Sequence, residues 1–375
     1  PIMRLASARL GDHLGAAVGV SYLMSWGLWS AVESQFHEIA FAVPLISYSL
    51  CSWIESEGRS RSAIVSMAAL VFVKEDLGLT VAAFGLVVIW IEWGRTPREG
   101  DFDLYVRSLT SLMATLRSRT ARIGAGLAAW GILWTLLAIT VILPAIHPGG
   151  TWEYTDRLSQ TDTMTTGPFT RLIFPTVKLQ TLGLLALAAG VIGAVSPYMW
   201  IMVPTLAWRF LGNVDFYWGW HWHYSAILVP MAVVALVDSA HRRRRIRGAA
   251  ALAVAVSLCS NLAVAWTSTI DQFFDRQPHA LTARQRTAAE GAVAIAGSGH
   301  RVVASLRLLA YLVPDNRVFW EGTAKGADVD VVAVDPASAA SSSGEAADKW
   351  AEERFGGRWR IVYLKEGYQV AVRIE

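Results

Sequence analysis

Long apolar runs alternate with short polar turns through the first two thirds of the chain, and several runs carry no polar stripe of helical period. They therefore read as helices buried on all sides or facing lipid, unlike the half-polar helices of a soluble core. Runs near 14–31, 38–54, 62–73, 77–93, 123–146, 176–195, 198–212, 225–240 and 248–267 give about nine crossings. Most approach the roughly 20 residues needed to cross a hydrocarbon core of about 30 Å. The third is too short to span alone and is expected to end within the membrane thickness. From about residue 268 the pattern changes. AEGAVAIAG, RVVAS, RVFWE, VDVVAVD and RWRIVYLKEGYQVAVRI alternate helical and strand-like periods, with a Ser/Ala/Gly-rich connector over 337–347. The expected fold is mainly α: a polytopic transmembrane helical bundle over 1–267 with a small C-terminal extracytoplasmic α/β domain over 268–375. Gly297-Ser298-Gly299 lacks the preceding strand and full motif of a phosphate loop and reads as an ordinary turn.

One interruption stands out. Lys74, Glu75 and Asp76 sit in the middle of SAIVSMAALVFVKEDLGLTVAAFGLVVIWIEW, where charge is costly and commonly functional. A helical hairpin that rises through Val73 and descends from Leu77 would bring the triplet to a water-facing end. A bare structural ion pair closing that hairpin is the competing reading.

Composition agrees with a membrane protein: 54% of residues are hydrophobic, 17% are charged, and 17 tryptophans are available for interfacial belts. Cys51 and Cys259 both fall in apolar runs, which leaves no disulfide framework or cysteine metal site. The net charge of +3 bears on topology and not on nucleic acid. Arg4 and Arg9, Arg59 and Arg61, Arg95 to Arg122, and Arg242 to Arg247 occupy alternate loops, which the positive-inside rule places in the cytoplasm. The chain starts at Pro1 and runs almost at once into a span, which suggests a missing N-terminal part.

The opposite face then collects the polar chemistry. Glu33, Gln35, His37 and Glu38 follow the first run, and Lys74, Glu75 and Asp76 the third. Lys178 opens the sixth, Arg209 lies about one turn inside the seventh, and Asp215, His221, His223 and Tyr224 lie in NVDFYWGWHWHY. Lys74, Lys178 and Arg209 can meet a phosphate. Glu33, Glu38 or Asp76 can take a hydroxyl proton, and His37, His221 and His223 can bind hydroxyls or share that proton. A divalent metal would need His37 or a carboxylate brought to the histidines by the fold. The aromatics of the last loop read as an interfacial belt or re-entrant helix, or else as a sugar-stacking platform.

The stretches ESQFHEIAFAVPL, LVFVKEDLGLTVAAFGLVV and HWHYSAILVP, with the terminal VDVVAVD strand, resemble a family of bacterial predicted membrane proteins catalogued as a domain of unknown function. That family looks related to the GT-C glycosyltransferases. The resemblance implies a multi-pass protein of the bacterial membrane, a polyprenyl-phosphate-sugar donor, and an envelope glycan, lipid or protein as acceptor. The alternatives are an ion- or proton-coupled transporter or flippase, and a noncatalytic envelope scaffold.

Overall fold

The computed structural model describes residues 1–34, 36–95, 111–147, 149–150, 152, 168–212, 214–243, 246, 248–270, 281–324, 326–338 and 346–374. Gln35, Arg98, Arg107, Arg244, Arg245 and Arg247 of the sequence reading lie outside them, as does most of the Ser/Ala/Gly-rich connector. The chain is mainly helical with a small C-terminal sheet. It divides into two compact units, 1–141 with 154–274, and 142–153 with 275–375.

In the first unit the helices are α1 (Ile2–Leu10), α2 (Asp12–Leu23), α3 (Trp26–Glu33), α4 (Ile39–Glu55), α5 (Arg61–Ala68), α6 (Leu77–Arg95), α7 (Arg119–Leu137), α8 (Val177–Ala188), α9 (Val203–Leu211), α10 (Leu228–Arg242) and α11 (Ala249–Ala265). Among the described residues, two helices are long and apolar enough to cross a membrane: α6, and α7 with its continuation to Ile146. A third is gained if Asp215–Ser225 and α10, bent by 69°, form one span. The count of nine crossings is therefore not reproduced. Several apolar runs break where the backbone cannot stay helical. The 14–31 run divides at Met24–Ser25 between α2 and α3. The 176–195 run stops at Ala188 and turns through Gly190 and Val191, both at positive φ. The 198–212 run opens with a 3-10 turn at Pro197–Met202 before α9 begins.

Helix α10 is the centre of this unit. Leu228 to Val237 are all buried, so its uninterrupted apolar sequence meets protein on every side. Helices α6 and α7 pack through glycines: a Cβ on Gly78, Gly85, Gly124 or Gly131 would strike the backbone or a side chain of the facing helix. Trp130 Nε1 donates to the Ala68 carbonyl at 3.1 Å and Thr135 Oγ1 to the Glu75 carbonyl at 3.0 Å, which ties α7 to the hairpin carrying the charged triplet. A polar chain joins three more helices. Asn261 Nδ2 donates to Ser21 Oγ at 3.0 Å, Ser21 and Ser257 hydroxyls lie 2.8 Å apart, and Ser257 Oγ donates to the Ala188 carbonyl at 2.6 Å. In an apolar interior each bond spares a polar group from burial without a partner.

In the second unit, strands β1 (Arg301–Ala304), β2 (Arg317–Trp320), β3 (Val331–Val334), β4 (Trp359–Lys365) and β5 (Tyr368–Arg373) form one sheet in the order β2-β1-β3-β5-β4. β1 is parallel to β2 and β3; β5 is antiparallel to β3 and β4. The period of two divides the strands: Val302, Ala304, Val331 and Ala333 pack with α12 (Ala283–Ala296) and α13 (Leu306–Leu312). Val303, Val332 and Val334 pack with α14 (Ala347–Phe355). Gly297 and Gly299, both at positive φ, turn the chain into β1 from its start, where Gly299 N donates to the Asp315 carbonyl. A phosphate loop would follow a strand, so this is an ordinary turn.

Arg301 anchors the entry to the sheet. It grips Asp330 through Nε at 3.0 Å and Nη2 at 2.6 Å and also reaches Asp328, which receives Arg373 at 3.2 Å. These bonds hold the Asp330 carboxyl below the ordinary carboxylate range and raise the Arg301 guanidinium.

Two outcomes follow from this packing. Replacing Gly85 or Gly131 by leucine should separate α6 from α7 and lower stability by about 1–3 kcal/mol. Thermal unfolding of the purified protein in detergent reads this, and a parent-like melting curve would show that the helices do not rely on backbone contact. For Asp330, a folded-state pKa below the unfolded value of about 3.9 means its contribution is present at neutral pH and disappears as pH falls through the lower, folded value. Asp330→Asn should therefore reduce hydrogen-exchange protection of β1 and β3 at pH 7, and the difference from wild type should shrink on acidification below about pH 4. An unchanged gap at low pH would assign the effect to something other than this ion pair.

Candidate functional site

The site grows from three interruptions in helical sequence. The first is the ESQFHE stretch: α3 ends at Glu33 and α4 restarts at Ile39, leaving His37 and Glu38 at the start of α4. The second is the charged turn. After the 3-10 turn Ala69–Phe72 the chain passes through Lys74, Glu75 and Asp76 before α6 begins, with Leu77 N and Leu79 N donating to the Lys74 and Asp76 carbonyls. The third is the aromatic loop from Gly212 to Ser225.

That loop is built around two cations. Arg209 is fully buried at the C-terminal end of α9. It donates through Nε to the Tyr217 carbonyl and through Nη2 to the Gly219 carbonyl, both at 2.8 Å. Its Nη1 reaches the Tyr224 carbonyl at 3.4 Å and Ser225 Oγ at 3.3 Å. Lys178, also buried, donates to the Phe210 carbonyl at 2.8 Å and sits 4.2 Å from the centroid of the Trp218 ring. Thr181 Oγ1 adds a bond to the Trp218 carbonyl at 2.8 Å. The described bonds of both cations thus go to the frame of the loop, where the sequence alone had offered them to a ligand.

The loop delivers His223 to His37. Their rings stack with centroids 3.7 Å apart and planes inclined by 20°. His223 is buried, and its Nδ1 has no hydrogen-bond partner among the described residues. Lys74 Nζ donates to Glu38 Oε1 at 2.8 Å, with the lysine side chain 13% exposed and the glutamate 45%. Lys74 is also in electrostatic reach of His223 and Asp76. Asp76 Oδ1 is inaccessible and lacks a hydrogen-bond partner among the described residues, and the Trp208 indole lies within electrostatic reach of its carboxylate. His37, Glu38, Lys74, Asp76 and His223 therefore form one cluster. It sets one lysine cation between a paired carboxylate and a second one within electrostatic reach, with an imidazole nitrogen beside them, a set able to hold an anion and to accept a proton.

Other residues from the sequence reading fall elsewhere. Glu33 is exposed at the end of α3. Glu75 contributes its carbonyl to Thr135. His221 stacks on Trp220 at 3.8 Å and, with Asp215, Phe216, Trp218 and Trp222, lines a separate cavity of about 320 Å³. Tyr224 packs edge-on to Trp208 and Tyr217 beneath the loop. Trp208 is the participant that sequence reasoning missed. A tryptophan beside Arg209 in a chain already rich in tryptophan carries no distinguishing signal; its role depends on which face of α9 meets the charged turn.

Among the described residues, no group of three or more His, Cys, Asp or Glu side chains is placed to hold a metal ion.

No curated protein and no solved structure matches the chain. A family of predicted membrane proteins, DUF2079, does match, over residues 1–370, and the chain belongs to that family.

Proposed function

We propose that the protein is a membrane-embedded glycosyltransferase that moves a sugar from a polyprenyl-phosphate donor to a hydroxyl of a cell-envelope glycan, lipid or protein. The observation that carries this reading is the Lys74–Glu38 pair at 2.8 Å beside the inaccessible Asp76 Oδ1 and the unpartnered His223 Nδ1. In this mechanism Lys74 receives the donor phosphate, its charge growing in value as the bond from the sugar anomeric carbon to the phosphate oxygen breaks. The acceptor hydroxyl oxygen forms the new bond to that carbon. Its proton passes to Glu38, released from Lys74 when the phosphate takes its place. The polyprenyl phosphate leaves as an anion held by Lys74. His223 Nδ1 orients a sugar or acceptor hydroxyl, and Asp76 keeps the lysine at the donor. Arg209 and Lys178 act through the loop they fasten. No step is assigned to a metal ion.

The orientation that goes with this proposal places the arginine-rich helix ends in the cytoplasm and the Lys74 cluster on the outer face, with a multi-pass bundle and an extracytoplasmic C-terminal domain. The topology is tested by cysteine labelling in intact cells, in a Cys259→Ser background because Cys259 is exposed and Cys51 is buried. Lys349 is exposed on α14, so Lys349→Cys should react with a membrane-impermeant thiol reagent while Arg243→Cys stays protected. The reverse pattern would invert the orientation.

The chemistry is tested with the protein in proteoliposomes and polyprenyl-phosphate sugars as donors. Lys74→Gln removes one charge-assisted contact and should weaken donor binding by roughly ten- to a hundredfold, equivalent to about 1.5–3 kcal/mol. Glu38→Gln should leave donor binding near the parent value and depress turnover. The buried Asp76 carboxylate also suits a proton-coupled transporter. Donor binding indifferent to Lys74→Gln, together with proton-dependent uptake lost in Asp76→Asn, would favour that reading over the transferase.

A further inference from the structure

The other end of α6 and α10, where the arginines collect, holds a second and larger cavity of about 800 Å³. Arg9 enters it from α1, Arg95 from α6 and Arg242 from α10. The three cations differ in how they are neutralised. Arg242 Nε is paired with Asp238 Oδ1 at 3.0 Å, and Asp238 also accepts from Ser196 Oγ at 2.7 Å. Arg95 reaches Glu92 only at 3.9 Å. Arg9 meets no carboxylate among the described residues: Nη2 donates to the Ile54 carbonyl at 3.2 Å and Nη1 meets His241 Nε2 at 3.4 Å.

The contacts of His241 fit one arrangement of its ring nitrogens. A guanidinium can only donate, so Nε2 must accept; the Arg9 carbonyl, 3.1 Å from Nδ1, can only accept, so Nδ1 carries the hydrogen. Half-buried Arg9 then keeps a full positive charge with no carboxylate within ion-pair distance among the described residues. The phenol of Tyr198 in the cavity wall lies within electrostatic reach of Asp238 as well as of Arg242, Arg95 and Arg9. The remaining wall mixes Leu5, Trp53, Val88 and Trp90 with Thr120 and with Glu57, which is exposed and paired with Arg59 at 3.3 Å; Glu92 and Asp238, the partners of Arg95 and Arg242, also line it.

A cavity that holds one guanidinium, Arg9, without a carboxylate partner among the described residues and also presents hydrocarbon and indole side chains matches a ligand with a phosphate at one end and an aliphatic chain at the other. We propose that it binds the phosphate headgroup of an anionic membrane lipid, with Arg9 as the principal anchor and Arg95 and Arg242 flanking it. The site is independent of the Lys74 cluster and of the transferase reading. The position among the arginine-rich helix ends suits the leaflet where such lipids meet basic side chains.

The test uses the whole chain in phosphatidylcholine nanodiscs titrated with phosphatidylglycerol, read by the lipid retained in native mass spectrometry and by the rise in melting temperature that a native-state ligand produces. Phosphatidylglycerol should bind in preference to phosphatidylcholine, and Arg9→Gln should lower its apparent affinity roughly tenfold. Gly94 lines the cavity and a Cβ there would meet nothing within 4 Å, so Gly94→Trp should fill the space and abolish retention while leaving Arg9 in place. Arg119→Gln, which removes one exposed charge outside the cavity, should bind as the parent does. If Arg9→Gln does not fold, Gly94→Trp decides. Equal retention in Gly94→Trp and the parent, or equal losses in Arg9→Gln and Arg119→Gln, would overturn the site. Displacement of the lipid by millimolar inorganic phosphate would overturn the lipid assignment in favour of a free phosphate ligand.

Discussion

A guanidinium buried away from water is costly unless every donor has somewhere to go, and the polar end of the helical unit depends on how Arg209 meets that demand. Its N–H groups reach the carbonyls of Tyr217, Gly219 and Tyr224 and the hydroxyl of Ser225. Those carbonyls belong to a loop of short helical turns, Asp215–Trp218 and His223–Ser225, too short to supply partners for their own carbonyls. Cation and loop therefore stabilise each other: the arginine makes an irregular segment tolerable, and the segment gives the arginine its acceptors. Lys178 repeats the arrangement at Phe210 and Trp218. The outcome is a hydrogen-bonded loop that sets His223 against His37.

A division of labour among cations follows. Arg209 and Lys178 are buried and engaged with backbone, whereas Lys74 keeps a carboxylate partner that is nearly half exposed. An ion pair that is partly exposed costs little to open, because water can replace one partner. A guanidinium spread over several carbonyls cannot release them without exposing unsatisfied groups. Lys74 and Glu38 are accordingly the side chains best suited to exchange partners, and the loop cations are best suited to hold geometry.

The two ends of the unit are separated by the dry core around α10. Breaks in the apolar runs, such as the one at Gly190 and Val191, shorten the helices and let polar segments fold inward over that core. Glycine contacts between α6 and α7 serve the same end by holding α7 close enough for Thr135 to reach the Glu75 carbonyl. Packing at the centre and polar chemistry at the end are thus linked through one hydrogen bond.

Much of this was legible in the residues. Apolar runs, tryptophan content and arginine placement gave a helical membrane protein, and the change of period after about residue 268 gave the α/β segment, because burial imposes its period directly on the sequence. The charged triplet, FHE and His223 announced themselves as polar groups in apolar surroundings. The number of long helices did not, since an apolar run looks the same whether it forms one straight helix or two pieces joined by a positive-φ turn. Nor could the sequence say that Lys178 and Arg209 would serve backbone carbonyls, that His221 would turn away from His223, or that Trp208 would face Asp76. Composition determines which groups must find partners in a low-dielectric interior; only the tertiary structure decides which partner each one finds, because those partners are 8 to 240 residues distant in sequence and meet through packing alone.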